Sequence, residues 1–308
     1  MMIFLVLGLS VTCGGESSGL STEVSRSASS TTVATGGETR LQMPLASTDL
    51  GVGSNRLAFG LIDIESGPLR SVPVMVSTFY LGSGGSGAED GPEESLEAVF
   101  RKWPVGASGV YTVQLFFSKP GIWGIGAVAT LEDGSTASAS VAIQVNEKSA
   151  TPGIGTSAPR SAIRTSGDVP TLAELTTDPE PEPSLYLMTI AEALDTGEPL
   201  VLIFSSPAYC QTATCGPQLD VVKDLKRQYD DRANFIHVEI YDNPHLIQGD
   251  LSQATLVQAV DDWGISAVPG WFNESWTFVL NPEGVITQSF EGYATLEELE
   301  EALTAMLD

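Results

Sequence analysis

The chain has 308 residues, enough for two domains joined by linkers. It carries 39 acidic against 14 basic residues, a formal net charge of −25. That balance excludes nucleic acid and anionic membrane surfaces as partners, because both are held through basic patches.

The three cysteines fall into a lone Cys13 and a close pair, Cys210 and Cys215. An odd count in an exported chain gives one thiol a separate job. Met1 to Val11 reads MMIFLVLGLSV, an apolar run of signal-peptide length and too short to cross a bilayer as a helix. Cys13 follows, then Gly14-Gly15-Glu16-Ser17-Ser18. Residues 1–13 resemble a bacterial lipoprotein signal, and the resemblance implies lipid attachment at Cys13. An ordinary signal peptide cut near the same place is the alternative, and both readings take the protein out of the cytoplasm. Residues 14–54 are expected to form a tether, since a Ser, Thr and Gly-rich stretch over 14–40 buries too little apolar surface to offset its ordering entropy.

Residues 55–147 show short apolar runs at Leu57–Ile64, Val72–Tyr80, Gly109–Phe117, Ile122–Thr130 and Ala137–Val145. Turn signals separate them, as at Glu65-Ser66-Gly67-Pro68 and Ser118-Lys119-Pro120-Gly121. Alternating β-branched and aromatic residues without a helical stretch predict an antiparallel all-β sandwich. Gly82–Pro92 reads as a mobile excursion. The segments Gly109-Val110-Tyr111-Thr112-Val113 and Lys119-Pro120-Gly121-Ile122-Trp123-Gly124 resemble immunoglobulin-like exported modules of the YtkA-like kind. No His or Cys lies in this region, so it is read as a structural or protein-binding module.

Residues 148–183 form a second linker ending in Asp178-Pro179-Glu180-Pro181-Glu182-Pro183, a run that favours extended, semi-rigid chain. Residues 184–308 then alternate apolar runs with helical patterns. Thr189-Ile190-Ala191-Glu192 fits a capping box, with Gly197 closing a short helix. Leu200–Phe204 is a buried strand, Pro217–Tyr229 an amphipathic helix, Phe235–Ile240 a strand and Leu251–Trp263 a long helix. Trp276–Leu280 and Val285–Phe290 form a hairpin around Asn281-Pro282-Glu283-Gly284, and Thr295-Leu296-Glu297-Glu298 caps a final helix.

This β–α–β–α–β–β–α order, preceded by a helix, resembles the thioredoxin-like superfamily. Leu200–Cys210, Trp263-Gly264-Ile265 and Thr277–Ile286 are similar to its extracytoplasmic TlpA/ResA branch. The resemblance implies an α/β thioredoxin-like second domain and a redox site at Cys210 and Cys215. It also implies a substrate-backbone residue at the position of that family's cis-proline, which falls on Ser275 counting back from Gly284 or on Pro269 counting forward from Ile265.

The spacing Cys210-x4-Cys215 imposes a condition. Five helical positions apart, two Cα atoms lie about 8–9 Å from one another, beyond the roughly 7 Å a disulfide can bridge. A bond therefore requires residues 210–215 to be loop, with Pro217 marking the helix start. A helix N-terminus nearby would lower the pKa of Cys210, with Cys215 resolving. The pair also resembles that of some atypical peroxiredoxins. A copper site of the Sco kind would need a histidine, and the chain has only His237 on a strand and His245 on a loop.

The sequence thus predicts an exported, membrane-anchored protein with a sandwich followed by an α/β domain. Its expected activity is thiol–disulfide exchange with extracytoplasmic protein thiols or disulfides, and possible redox partners, without cofactor or metal. The competing expectation is a non-enzymatic surface binding module whose Cys210–Cys215 disulfide is structural.

Overall fold

A computed structural model describes residues 40–82, 91–104 and 108–307. Cys13, the lipoprotein-type segment, residues 14–39 of the tether and residues 83–90 of the expected excursion lie outside them. All described residues belong to one compact unit.

Among the described residues, nine strands make the first half: β1 (Leu41–Gln42), β2 (Gly53–Phe59), β3 (Ile62–Asp63), β4 (Gly67–Pro68), β5 (Val74–Gly82), β6 (Glu94–Lys102), β7 (Gly109–Phe117), β8 (Gly121–Thr130) and β9 (Thr136–Val145). Six of them hydrogen-bond in the order β2-β7-β6-β5-β8-β9, and β1-β3-β4 form a small second sheet. Strand β6 bends the larger sheet: Glu94–Ala98 pair with β5, whereas Val99–Lys102 pair with β7. The result is one continuous antiparallel sheet curled into a half-barrel. The expected immunoglobulin-like sandwich of two separate sheets is therefore corrected. The sequence conceals β6 because Glu94, Glu97, Arg101 and Lys102 give it a polar surface, with Ala98 its one buried residue. Phe59, Tyr111, Phe117, Trp123 and Ile125 fill the interior, and the Trp123 indole N–H donates to the Lys119 carbonyl at 3.1 Å. Leu41, Met43 and Leu50 join the same core, so residues 40–54 are part of the fold rather than of a tether.

The second half contains α1 (Ile190–Asp195), β10 (Leu200–Ser205), α2 (Cys215–Tyr229), β11 (Asn234–Glu239), α3 (Gln258–Asp262), β12 (Trp276–Leu280), β13 (Ile286–Glu291) and α4 (Leu296–Thr304). The sheet order is β11-β10-β12-β13, with β10 and β11 parallel and the other pairs antiparallel. Along β10 the faces alternate. Leu200, Leu202 and Phe204 pack with Trp263, Trp276 and Phe278, whereas Val201 and Ile203 pack with Leu219, Val222 and Leu225 of α2 and Leu299 of α4. Burial on both faces is why the segment reads as an uninterrupted apolar run. Both capping boxes form, Thr189 with Glu192 and Thr295 with Glu298.

The expectation of a separate α/β thioredoxin-like domain is also corrected. Strand occupies 35% and helix 20% of the structure, and α2 is the only helix above ten residues among those described. The long helix expected over 251–263 is a 3-10 turn at Leu251–Gln253 and the five-residue α3. Between them the chain runs extended, and Leu256 bridges Tyr241. The β-branched Thr255 and Val257 suit that conformation better than a helix interior.

Residues 148–183 do not act as a spacer. The Ala150 and Thr151 N–H groups donate to the Asp49 carboxylate at 2.7 and 2.8 Å, Ser157 bridges Val285, and Lys223 pairs with Asp178. This strap binds the half-barrel to the second sheet. Arg56 of β2 adds a bidentate ion pair to Glu298 of α4, at 2.9 and 3.1 Å, with both side chains only 6% exposed. The strap also crosses close to the Trp263-Gly264 turn. Gly264 has φ +66°, and a Cβ there would lie 2.0 Å from the Ala150 carbonyl oxygen. Gly264→Ala is therefore expected to lower unfolding stability by about 2–4 kcal/mol, read as a shifted denaturant midpoint. An unchanged midpoint would show that the strap can move aside.

Candidate functional site

Strand β10 ends at Ser205, and the chain turns through residues 206–214 before α2 begins at Cys215. The expected loop over 210–215 with a helix start at Pro217 is met only as far as residue 214: residues 210–214 are irregular and α2 starts at Cys215, yet the Cα atoms of Cys210 and Cys215 are 5.9 Å apart and the two sulfurs form a disulfide. Ala213, at φ +59°, turns the chain between them. Cys215, not Cys210, is the first helical residue and is fully buried, whereas Cys210 is partly exposed. Thr214 stands at the N-cap of α2 but does not cap it. Its hydroxyl donates instead to Glu274 at 2.6 Å, and the Thr212 hydroxyl donates to the other carboxylate oxygen at 2.7 Å.

The opposing wall is Asn273-Glu274-Ser275, which leads into β12. Asn273 is 2% exposed and has φ +50°, a left-handed conformation that asparagine tolerates better than most side chains. Its amide carbonyl accepts the Gln211 N–H at 3.1 Å, and its amide nitrogen donates to the Tyr209 carbonyl at 2.5 Å and the Tyr241 hydroxyl at 3.1 Å. The Asn273 backbone carbonyl lies 3.5 Å from Cys215 Sγ. One buried side chain thus ties down the loop on the Cys210 side of the disulfide.

Of the two substrate-backbone candidates, Ser275 is the last residue of this wall, whereas Pro269 is exposed after the 3-10 turn at Ile265–Ala267. The Ser275 carbonyl already accepts the Gly292 N–H at 2.8 Å, and its hydroxyl donates to the Gly292 carbonyl at 3.2 Å. That carbonyl is engaged within the fold. Asn273 and Glu274 are the residues that sequence reasoning missed. Their only local signal is an asparagine in a short polar stretch after Trp271-Phe272.

His237 sits in the core behind the loop. Its Nδ1 lies 2.7 Å from the Tyr186 hydroxyl, and its Nε2 is 3.1 Å from the Ser205 carbonyl oxygen. Burial pushes its pKa down to about 4. His245 is exposed. Among the described residues, the cysteines group with Glu274 and with no histidine, so the Sco-type set is not assembled.

Beside His237, burial pushes the Glu239 carboxyl up to about 7. Glu239 accepts from the Thr177 N–H and hydroxyl at 2.9 and 2.8 Å, and the Thr177 hydroxyl in turn accepts the Ala208 N–H at 3.1 Å. A carboxyl in the strand layer is thus linked through the strap to the cysteine loop. No helix of the described residues is long and apolar enough to cross a membrane. The disulfide is compatible with an oxidising setting outside the cytoplasm.

Two outcomes follow for this site. Asn273→Ala removes three side-chain hydrogen bonds and is expected to cost about 1–3 kcal/mol. It should also speed reduction of the disulfide by dithiothreitol, measured by thiol release, and an unchanged rate would exclude the pinning role. The buried acid and base impose opposite pH slopes. Glu239 keeps its proton in the fold, so its contribution is complete below its ordinary value of 4.5 and is lost as pH rises through about 7. His237 sheds its proton in the fold, so stability falls as pH drops from 6.5 towards about 4. Glu239→Gln removes one of the two buried carboxyls, Glu239 and Glu291, that burial pushes up to about 7 and that oppose the His237 slope. Urea midpoints of that variant should rise with pH between about 4.5 and 6.5 more steeply than those of the wild type.

No family model and no curated relative matches the chain. Among solved structures, the PmoD soluble domain from Methylocystis sp. is similar over 36% of this chain and 94% of that one. The identity is 16% and the TM-score 0.23, a likeness from which nothing is carried over.

Proposed function

We propose that the protein is an exported thiol–disulfide oxidoreductase acting on extracytoplasmic protein thiols or disulfides through Cys210 and Cys215. The observation that carries this reading is the unequal exposure of two bonded sulfurs at one helix end, Cys210 partly open and Cys215 buried. A substrate thiolate attacks Cys210 Sγ. The sulfur–sulfur bond breaks, and its electron pair leaves on Cys215 Sγ at the N-terminus of α2. The helix dipole favours a thiolate there, and Thr214 does not occupy the leading N–H groups. A second substrate thiolate then attacks the substrate sulfur of the mixed disulfide, releasing oxidised substrate and the Cys210 thiolate. Run in reverse, Cys210 attacks a substrate disulfide and Cys215 resolves it.

The reading is tested by disulfide exchange with a model protein substrate. Wild type is expected to catalyse exchange and Cys210→Ser to abolish it. The pair should also have a reduction potential above about −300 mV. The second reading, a surface binding module with a structural disulfide, is favoured by the complete burial of Cys215. It predicts a lower potential and no exchange. The N-terminal sequence supports attachment to the membrane through a lipidated Cys13. Cys13→Ala should then move the protein from the membrane to the soluble fraction of fractionated cells, and an unchanged distribution excludes the anchor.

A further inference from the structure

The disulfide has a third potential donor beside it. The sulfur atoms of Cys210 and Cys215 and a carboxylate oxygen of Glu274 all lie within 4.8 Å of one another. A tetrahedral ion with Zn–S of about 2.3 Å and Zn–O of about 2.0–2.2 Å needs its donors roughly 3.5–4 Å apart. Opening the bond lets the sulfurs separate towards that spacing, and the irregular segment 210–214 can yield without unwinding α2.

Glu274 is aimed rather than merely nearby. Both carboxylate oxygens are held by hydroxyls from the cysteine loop, Thr212 at 2.7 Å and Thr214 at 2.6 Å. The Glu274 carbonyl accepts the Trp271 indole N–H at 2.9 Å. Hydrogen bonds to a ligating carboxylate are the usual way a protein orients such a ligand. Cys210 and Glu274 are partly exposed, which provides an entry path, while buried Cys215 closes the back. The net charge of −25 favours accumulation of cations.

We propose that reduced Cys210 and Cys215, together with Glu274, bind a borderline divalent cation of the zinc type, and that the disulfide is the form in which this site is closed. Two thiolates and one carboxylate suit zinc or cobalt(II), whereas calcium and magnesium call for oxygen ligands throughout. A dithiol reductant opens the site: it becomes a cyclic disulfide and leaves two cysteine thiols. Binding of M²⁺ by the two thiols and the Glu274 carboxylate then forms two metal–sulfur bonds and one metal–oxygen bond and releases two protons. This inference rests on the bond being reducible, not on exchange with protein substrates, so failure of the oxidoreductase reading leaves it standing.

The test compares oxidised protein with protein reduced by dithiothreitol and desalted without oxygen, its thiols counted by a chromogenic disulfide. Zinc affinity is read by competition with a coloured chelator, and cobalt(II) is added to observe thiolate-to-metal charge transfer. One zinc per reduced chain, two protons released and a cobalt–thiolate band are expected, with none of these in the oxidised chain. Glu274→Gln should weaken zinc binding at least as much as loss of an orienting hydroxyl, which costs about 10–100-fold. Thr212→Val, on the irregular loop, should show that loss itself and serves if the Glu274 variant fails to fold. Equal zinc affinity of reduced and oxidised protein, wild-type affinity in both variants, or a disulfide that resists excess dithiothreitol would each overturn the proposal.

Discussion

The second half of the molecule is organised by the burial of β10 on both faces. Leu200, Leu202 and Phe204 face the aromatic layer of Trp263 and Phe278, while Val201 and Ile203 face α2 and α4. With β11 and β12 hydrogen-bonded on either side, the strand can shift neither along its axis nor across the sheet without exposing apolar surface, at roughly 25 cal/mol per Å². The loop leaving Ser205 therefore starts from a fixed point. So does α2, whose Leu219, Val222 and Leu225 pack on the same strand. The disulfide ties the middle of the loop across the gap between these two rigid ends, at Cys210, to the first residue of α2.

That gap is closed from the side by a segment distant in sequence. Asn273 ties the loop through its amide, and the two threonines tie Glu274. The electrostatics of the pair are consequently mixed. The start of α2 favours negative charge on Cys215, but burial and the Glu274 carboxylate oppose it. A carboxylate beside two thiols is a poor arrangement for strong thiolate activation and a good one for sharing a cation. The exchange and metal readings thus draw on the same geometry, one through the exposed sulfur and the other through the neighbouring acid.

The two halves are held together by polar contacts rather than by one continuous core. Arg56 reaches Glu298, which also completes the capping box of α4, so a single carboxylate serves both a helix start and the junction with the half-barrel. Asp49 fixes the strap at Ala150 and Thr151, and the Thr48 N–H donates to Glu291 at the end of β13 at 2.7 Å. Apart from the exposed Thr48–Glu291 contact, these bonds lie in partly buried positions, where a charge-assisted hydrogen bond contributes about 1.5–3 kcal/mol. They explain why segments with the composition of linkers are ordered parts of the structure.

Local features of the chain were legible without the structure. The period-2 runs of β7 and β9, the apolar run of β8, both capping boxes, the amphipathic α2 and the unbroken apolar stretch of β10 each express a preference that residues within one element decide among themselves. The cysteine spacing likewise stated its own condition, that residues 210–215 be loop, and the chain meets it up to residue 214, where α2 begins two residues ahead of Pro217. Other features depend on partners far along the chain. Strand β6 is polar because most of its side chains face outward, and it became a strand through pairing with β5 and β7. Residues 251–263 gave up most of an expected helix to a bridge with Tyr241, and the acid-proline strap was ordered by Lys223. Asn273 and Glu274 stand 58 and 60 or more residues from the cysteine-loop groups they touch, so no pattern near Cys210 could name them. The sequence by itself determined where the apolar strands, the caps and the cysteine pair would lie, but not the polar β6. Only the tertiary structure decided how the sheets curl, which segments are straps, and which acid faces the sulfurs, because those outcomes are set by contacts between residues that are neighbours only after folding.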